Sequence, residues 1–129
     1  MARDDLPTAG GTPLLFADLT QSWSAAGGGV GTYLRHKRRH ILESTDAGHL
    51  LIVPGYRDRV EIAEGGRAIT VSVASPRVPG NENYRLLLRS RAVRAALADY
   101  RPDLIECQDA YNLPWAALAH ARDFPGTAT

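Results

Sequence analysis

Gly27-Gly28-Gly29-Val30-Gly31-Thr32-Tyr33 is the stretch whose residue types most invite chemistry. Glycines admit positive φ and carry no side chain, so a ligand can approach the backbone closely. A helix is expected to begin at Val30. The unpaired N–H groups of its first turn, at the positive end of the helix dipole, suit a phosphate. The spacing is not that of the common phosphate loops. No Lys follows at the place a Walker loop requires. The dinucleotide pattern G-x-G-x-x-G also fails, because its third glycine would fall at Thr32 or at Leu34. A tight strand-to-helix turn without a ligand explains the same glycines, and both readings stand at this point.

Two further features carry reactive or charged groups. Arg35-His36-Lys37-Arg38-Arg39-His40 is a basic run on the expected helix. It reads either as a solvated face or as a contact for an anionic acceptor or a membrane surface. Lys37 lies at the margin of the apolar stripe, a place for its stem to run along apolar surface with the ammonium in water. Cys107 is the single cysteine, so no intramolecular disulfide can form. It follows Ile105 in an apolar run and reads as a small hydrophobe rather than a nucleophile.

These residues need a scaffold, and the chain supplies an alternating one. Residues 13–18 (PLLFAD), 49–53 (HLLIV) and 103–107 (DLIEC) are short apolar runs that read as buried strands. Residues 30–44 read as a helix, with Val30, Leu34 and Ile41 on one face. Residues 59–63 and 68–73 alternate around Glu64-Gly65-Gly66-Arg67 and predict a hairpin. Residues 74–83 read as a loop and 84–100 as a helix that Pro102 ends. Residues 113–122 read as a last helix, with Pro114 in the first turn. This order predicts an α/β fold with a mostly parallel sheet and helices on both faces. Ligands of such sheets bind beyond the carboxyl ends of the strands, where the loops 19–29 and 108–112 are expected.

Composition sets the bounds. The 129 residues are 44% hydrophobic and 22% charged with a formal net charge of +1, a globular balance that argues for no nucleic-acid partner. No stretch approaches the roughly 20 apolar residues of a membrane span, and the N-terminus lacks the apolar region of a signal peptide. A cytoplasmic protein, or one peripheral to the inner face of a membrane, is expected. Residues 1–12 are expected to be a flexible leader and residues 13–129 one partial domain.

GGGVGTYLRHK after a first strand, then HLLIVPG, then YRPDLIECQDAYNLPWAALAHAR, resembles the N-terminal domain of family 4 glycosyltransferases of the GT-B fold. The resemblance covers about residues 13–126. It implies a Rossmann-like domain, the acceptor side of an enzyme that moves a sugar from a nucleotide-diphosphate sugar to an acceptor hydroxyl, usually with retention. It implies that Gly27, Gly28, Gly29, Val30 and Gly31 face the donor phosphates across a cleft. A second Rossmann-like domain would hold the nucleotide and complete the partnership with donor and acceptor, the latter soluble or lipid-linked. The family's histidine follows the next strand, expected near Thr127. None of His36, His40, His49 or His120 stands there, so no catalytic residue is assigned, and the chain alone is expected not to transfer sugar. No cofactor and no metal is expected.

At the end of the DLIEC run, Asp109 can accept hydrogen bonds from sugar hydroxyls, Tyr111 can stack on a sugar ring, and Asn112 stands beside them with Glu106. Asp109 and Asn112 equally suit turn formation and capping of the last helix. Trp115, in an Ala- and Leu-rich helix, is expected in the core. Two other functions compete. A nucleotide-dependent oxidoreductase would need an acidic residue at the end of the second strand, where Val53-Pro54-Gly55 stands. A non-catalytic α/β nucleotide- or ligand-binding module fits the same fold.

Overall fold

A computed structural model of the chain describes residues 13–24, 27–109 and 112–129. Residues 1–12, and with them the expected leader, lie outside the described residues, as do 25–26 and 110–111. The elements run β1 (Leu15–Leu19), α1 (Gly29–Ser44), β2 (Gly48–Gly55), β3 (Arg59–Ala63), β4 (Ala68–Ala74), β5 (Arg77–Val78), β6 (Asn81–Arg85), α2 (Ser90–Tyr100), β7 (Leu104–Cys107) and α3 (Leu113–Asp123). The main sheet has the order β3-β4-β2-β1-β7. Within it β4, β2, β1 and β7 are parallel, and β3 pairs antiparallel with β4 through the expected hairpin.

Alternation along the strands divides the sheet into two unlike faces. Leu15, Ala17, Leu19, Leu50, Ile52, Ile69, Val71 and Ile105 pack with Val93, Leu97 and Tyr100 of α2 and with Leu113, Ala116 and Ala117 of α3. α1 covers the opposite face, where Leu34 meets Leu51 and Val53, with Trp23 and Val30 beside them. That second apolar cluster is small. The neighbouring positions on the same face are Asp18, His49, Thr70 and Glu106, which are polar.

The structure departs from the sequence reading in three places. Residues 77–85 are not a loop but a small hairpin of β5 and β6. The helix expected from Tyr84 begins at Ser90, because residues 81–85 pair as a strand and Leu87 is tied down by Gln21. The DLIEC run is not a buried strand. β7 stands at the edge of the sheet with Glu106 exposed, and among the described residues it is extended by a parallel bridge from Leu104 to Ala128.

Candidate functional site

The chain passes from β1 to β2 and β4 on one side and returns through α2 to β7 on the other. The order reverses at β1, and the carboxyl ends of β1 and β7 flank the crevice that such a reversal opens. The loops after these two strands bring together residues that are about ninety apart in sequence. Asp109 Oδ2 accepts from the Gln21 N–H at 2.8 Å, the Thr20 hydroxyl at 3.1 Å, the Ser22 N–H at 3.2 Å and the Ser22 hydroxyl at 3.3 Å. Its other oxygen, Oδ1, is buried without a hydrogen-bond partner. A buried oxygen of this kind is rare.

Asn112 has no such freedom. Its Oδ1 accepts from Gln21 Nε2 at 2.7 Å, and its Nδ2 donates to the Leu87 carbonyl at 3.0 Å. It occupies the N-cap position of α3 without making a side-chain cap bond. Gln21 Oε1 in turn accepts from the Leu87 N–H at 2.6 Å. Gln21 therefore pairs with Leu87 as a backbone unit would, and the three residues hold the segment before α2 against both loops. Tyr111 lies outside the described residues.

The glycine run opens α1 as expected, one residue earlier than its periodicity suggests. Gly28 is the N-cap, with φ 132° and ψ 165°, and Gly27 has φ 103°. L side chains rarely adopt either conformation. A Cβ at Gly28 would also meet the Tyr84 hydroxyl at 3.2 Å, whereas one at Gly29 would meet nothing within 4 Å. Thr32 N–H closes the first helical bond onto the Gly28 carbonyl at 3.0 Å. The earlier N–H groups of the turn have no intrahelical partner. No acidic side chain stands in that turn to compete for them.

Behind the crevice, α1 is fastened to the sheet by charge. Asp18 is wholly buried, and its Oδ2 lies 2.7 Å from His49 Nε2. Its Oδ1 accepts from Lys37 Nζ at 3.0 Å and from Gln108 Nε2 at 2.7 Å. Arg38 Nε donates to His49 Nδ1 at 2.8 Å, which places the His49 proton on Nε2, facing Asp18. Burial alone would raise the Asp18 carboxyl, but the bonds from His49 and Lys37 outweigh it and hold the group below its ordinary range. Burial, aided by the Arg38 charge, pushes His49 down, so it stays neutral. Burial would lower Lys37, but its bonds to Asp18 and Glu106 raise it instead.

Residues 28–128 match the family described as a glycosyl transferase 4-like domain. The chain belongs to that family. No curated protein and no solved structure matches it.

Within this glycosyltransferase domain several residues stand elsewhere than their sequence context implies. Trp115 is 73% exposed, not in the core. Leu113, Ala116, Ala117 and His120 form the inward stripe of α3, and Trp115 falls outside it. The basic run is not one solvated face. Lys37 and Arg38 turn inward to the network, and Arg35 lies over the Trp23 ring at 4.6 Å, which leaves His36, Arg39 and His40 exposed. The Lys37 ammonium is in an ion pair rather than in water. Burial pushes the Cys107 thiol up to about 11, in keeping with a small hydrophobe. Among the described residues no group of three or more His, Cys, Asp or Glu side chains could hold a metal ion. No helix there is long and apolar enough to cross a membrane.

Proposed function

We propose that this domain, residues 13–129, forms the acceptor side of a retaining glycosyltransferase of the GT-B type. The enzyme takes a sugar from a nucleotide-diphosphate sugar and passes it to an acceptor hydroxyl in the cytoplasm. The acceptor oxygen bonds to the anomeric carbon, the bond from that carbon to the phosphate oxygen breaks, and the nucleoside diphosphate leaves with the electron pair and takes up the hydroxyl proton. The observation that carries the reading is the loop Gly27–Gly31. It stands at the reversal point of the sheet, holds two glycine-only backbone conformations and opens a helix whose first N–H groups have no intrahelical partner. In this reading the loop faces the donor diphosphate, and a second Rossmann-like domain holds the nucleotide. Asp109 accepts from an acceptor hydroxyl and Tyr111 stacks on the acceptor ring. Asn112 acts through Gln21 and Leu87 rather than by touch. The membership in a transferase family favours this over a non-catalytic binding module.

No Lys or Arg stands inside the loop, so the domain alone should bind a nucleoside diphosphate only in the millimolar range, roughly 4 kcal/mol. Titration followed by amide NMR shifts is expected to move Gly28–Thr32 first. Gly29→Val should abolish those shifts and keep the fold, since its side chain enters open space. Largest shifts at Asp109 and Asn112, or unchanged binding by Gly29→Val, would reduce the loop to a turn.

A further inference from the structure

A separate concavity of about 420 Å³ lies between α1 and the turn joining β3 to β4. That volume falls in the roughly 300–1,000 Å³ range of small-molecule sites. Arg35, Arg38 and Arg39 of α1 line it with Arg67 of the turn, and so do Glu43 and Glu64. Four guanidinium groups against two carboxylates leave it net positive.

The arginines are not neutralised within the described residues. Arg38 bonds only neutral acceptors, namely His49 Nδ1, the Thr70 hydroxyl and the Ile69 and His49 carbonyls. No carboxylate touches it, and burial lowers its guanidinium to about 10. Arg67 commits Nε and Nη2 to the carbonyls of Thr45 and Ala47, which leaves Nη1 for another acceptor. Arg35 is held over Trp23 and makes no ion pair, and exposed Arg39 makes none either. Like charges gathered in one concavity create a field that an oxyanion relieves, and guanidinium forks suit phosphate oxygens.

We propose that this concavity binds a phosphate monoester on a hydroxyl-bearing body, the phosphate on Arg39 and Arg67 and the hydroxyls on Glu43 and Glu64. The site is distinct from the glycine loop. Arg39 lies ten residues beyond Gly29 on α1, about 15 Å along the axis. It therefore stands or falls independently of the donor-loop reading. The same chemistry is presented by a soluble sugar phosphate and by the headgroup of phosphatidic acid, and the test separates the two.

The full chain is titrated with glucose 6-phosphate, with glucose, and with phosphatidylcholine vesicles with and without phosphatidic acid. Glucose 6-phosphate is expected to give saturable amide shifts at Arg39, Arg67 and Ala68. Arg39→Gln should weaken them about tenfold, the loss of one charge-assisted bond, and Arg39→Glu should abolish them. Neither change should move the melting temperature, because Arg39 holds nothing in place, and Gly29→Val should leave the binding intact. Vesicle binding that requires phosphatidic acid and is lost in Arg39→Glu, without a response to glucose 6-phosphate, assigns the lipid headgroup as the source. Equal shifts with glucose, ester-induced shifts confined to Gly28–Thr32, unimpaired binding by Arg39→Glu, or no binding in either arm would each overturn the proposal.

Discussion

Lys37 permits a comparison in which distance is constant and burial is not. Its ammonium lies 3.0 Å from Asp18 and 3.0 Å from Glu106, yet the Asp18 side chain is 0% exposed and that of Glu106 is 47% exposed. Glu106→Gln removes a largely solvated charge, and such pairs contribute about 0–1 kcal/mol. Asp18→Asn removes the acceptor shared by Lys37, His49 and Gln108. The amide keeps a single accepting oxygen, so at least one donor is stranded. Breaking a buried pair from one side costs about 3–5 kcal/mol. Lys37 keeps Glu106 and 19% exposure, which puts the expected loss at the lower end. With a urea m-value of about 2 kcal/mol/M, a loss of about 3 kcal/mol lowers the midpoint by about 1.5 M, against at most about 0.5 M for Glu106→Gln. Far-UV circular dichroism reads both midpoints directly. Equal shifts for the two variants, or an Asp18→Asn midpoint close to that of the parent, would refute the claim that burial decides the strength of these bonds.

Three other outcomes are expected. The folded pKa of His49 lies below its ordinary 6.5, so on acidification the unfolded chain takes up the proton first. Stability is then full above about pH 6.5 and declines as pH falls toward the folded value, with Asp18 adding a second loss only beneath 3.8. Burial shifts His120 the same way, so melting temperatures of His49→Gln should show a shallower acid slope than the parent, and an unchanged slope would remove His49 from the account. Gly28→Ala should cost about 1–3 kcal/mol because its φ and ψ are open essentially to glycine alone, while Gly29→Ala should cost far less; equal melting points would contradict the backbone geometry. With its thiol at about 11, Cys107 should react with iodoacetamide near pH 8 about a hundredfold more slowly in native buffer than in urea, and comparable rates would show that the thiol is not buried.

The parts legible in the sequence were those set by local rules. Apolar runs bounded by Pro and Gly gave the parallel strands, and the Glu64-Gly65-Gly66 turn gave the hairpin. The glycine run could be placed because only its backbone mattered. The charged network was not legible, because strand register decides it. Asp18 stands opposite Leu51, which puts His49 two residues back on the same face of the neighbouring strand. Nothing in PLLFAD or HLLIV alone announces that meeting. Arg38 was hidden inside a run whose average character is that of a surface, although its own position on α1 faces the sheet. Trp115 failed for the opposite reason, since the smaller neighbours on its short helix claimed the inward stripe. Residues 81–85 read as the end of a loop and the start of a helix, because polar NENYR carries no period strong enough to declare a strand.

Helices that rest on aliphatic side chains can creep sideways, since one methyl contact is readily exchanged for another. α1 has little of that latitude. Lys37 and Arg38 insert into matching acceptors on four neighbouring strands, and each bond has a direction as well as a length. A glide of even a fraction of a helical turn would sever several charged contacts before any replacement came within reach. The mouth of α1, with its row of glycines, therefore behaves as a fixed landmark.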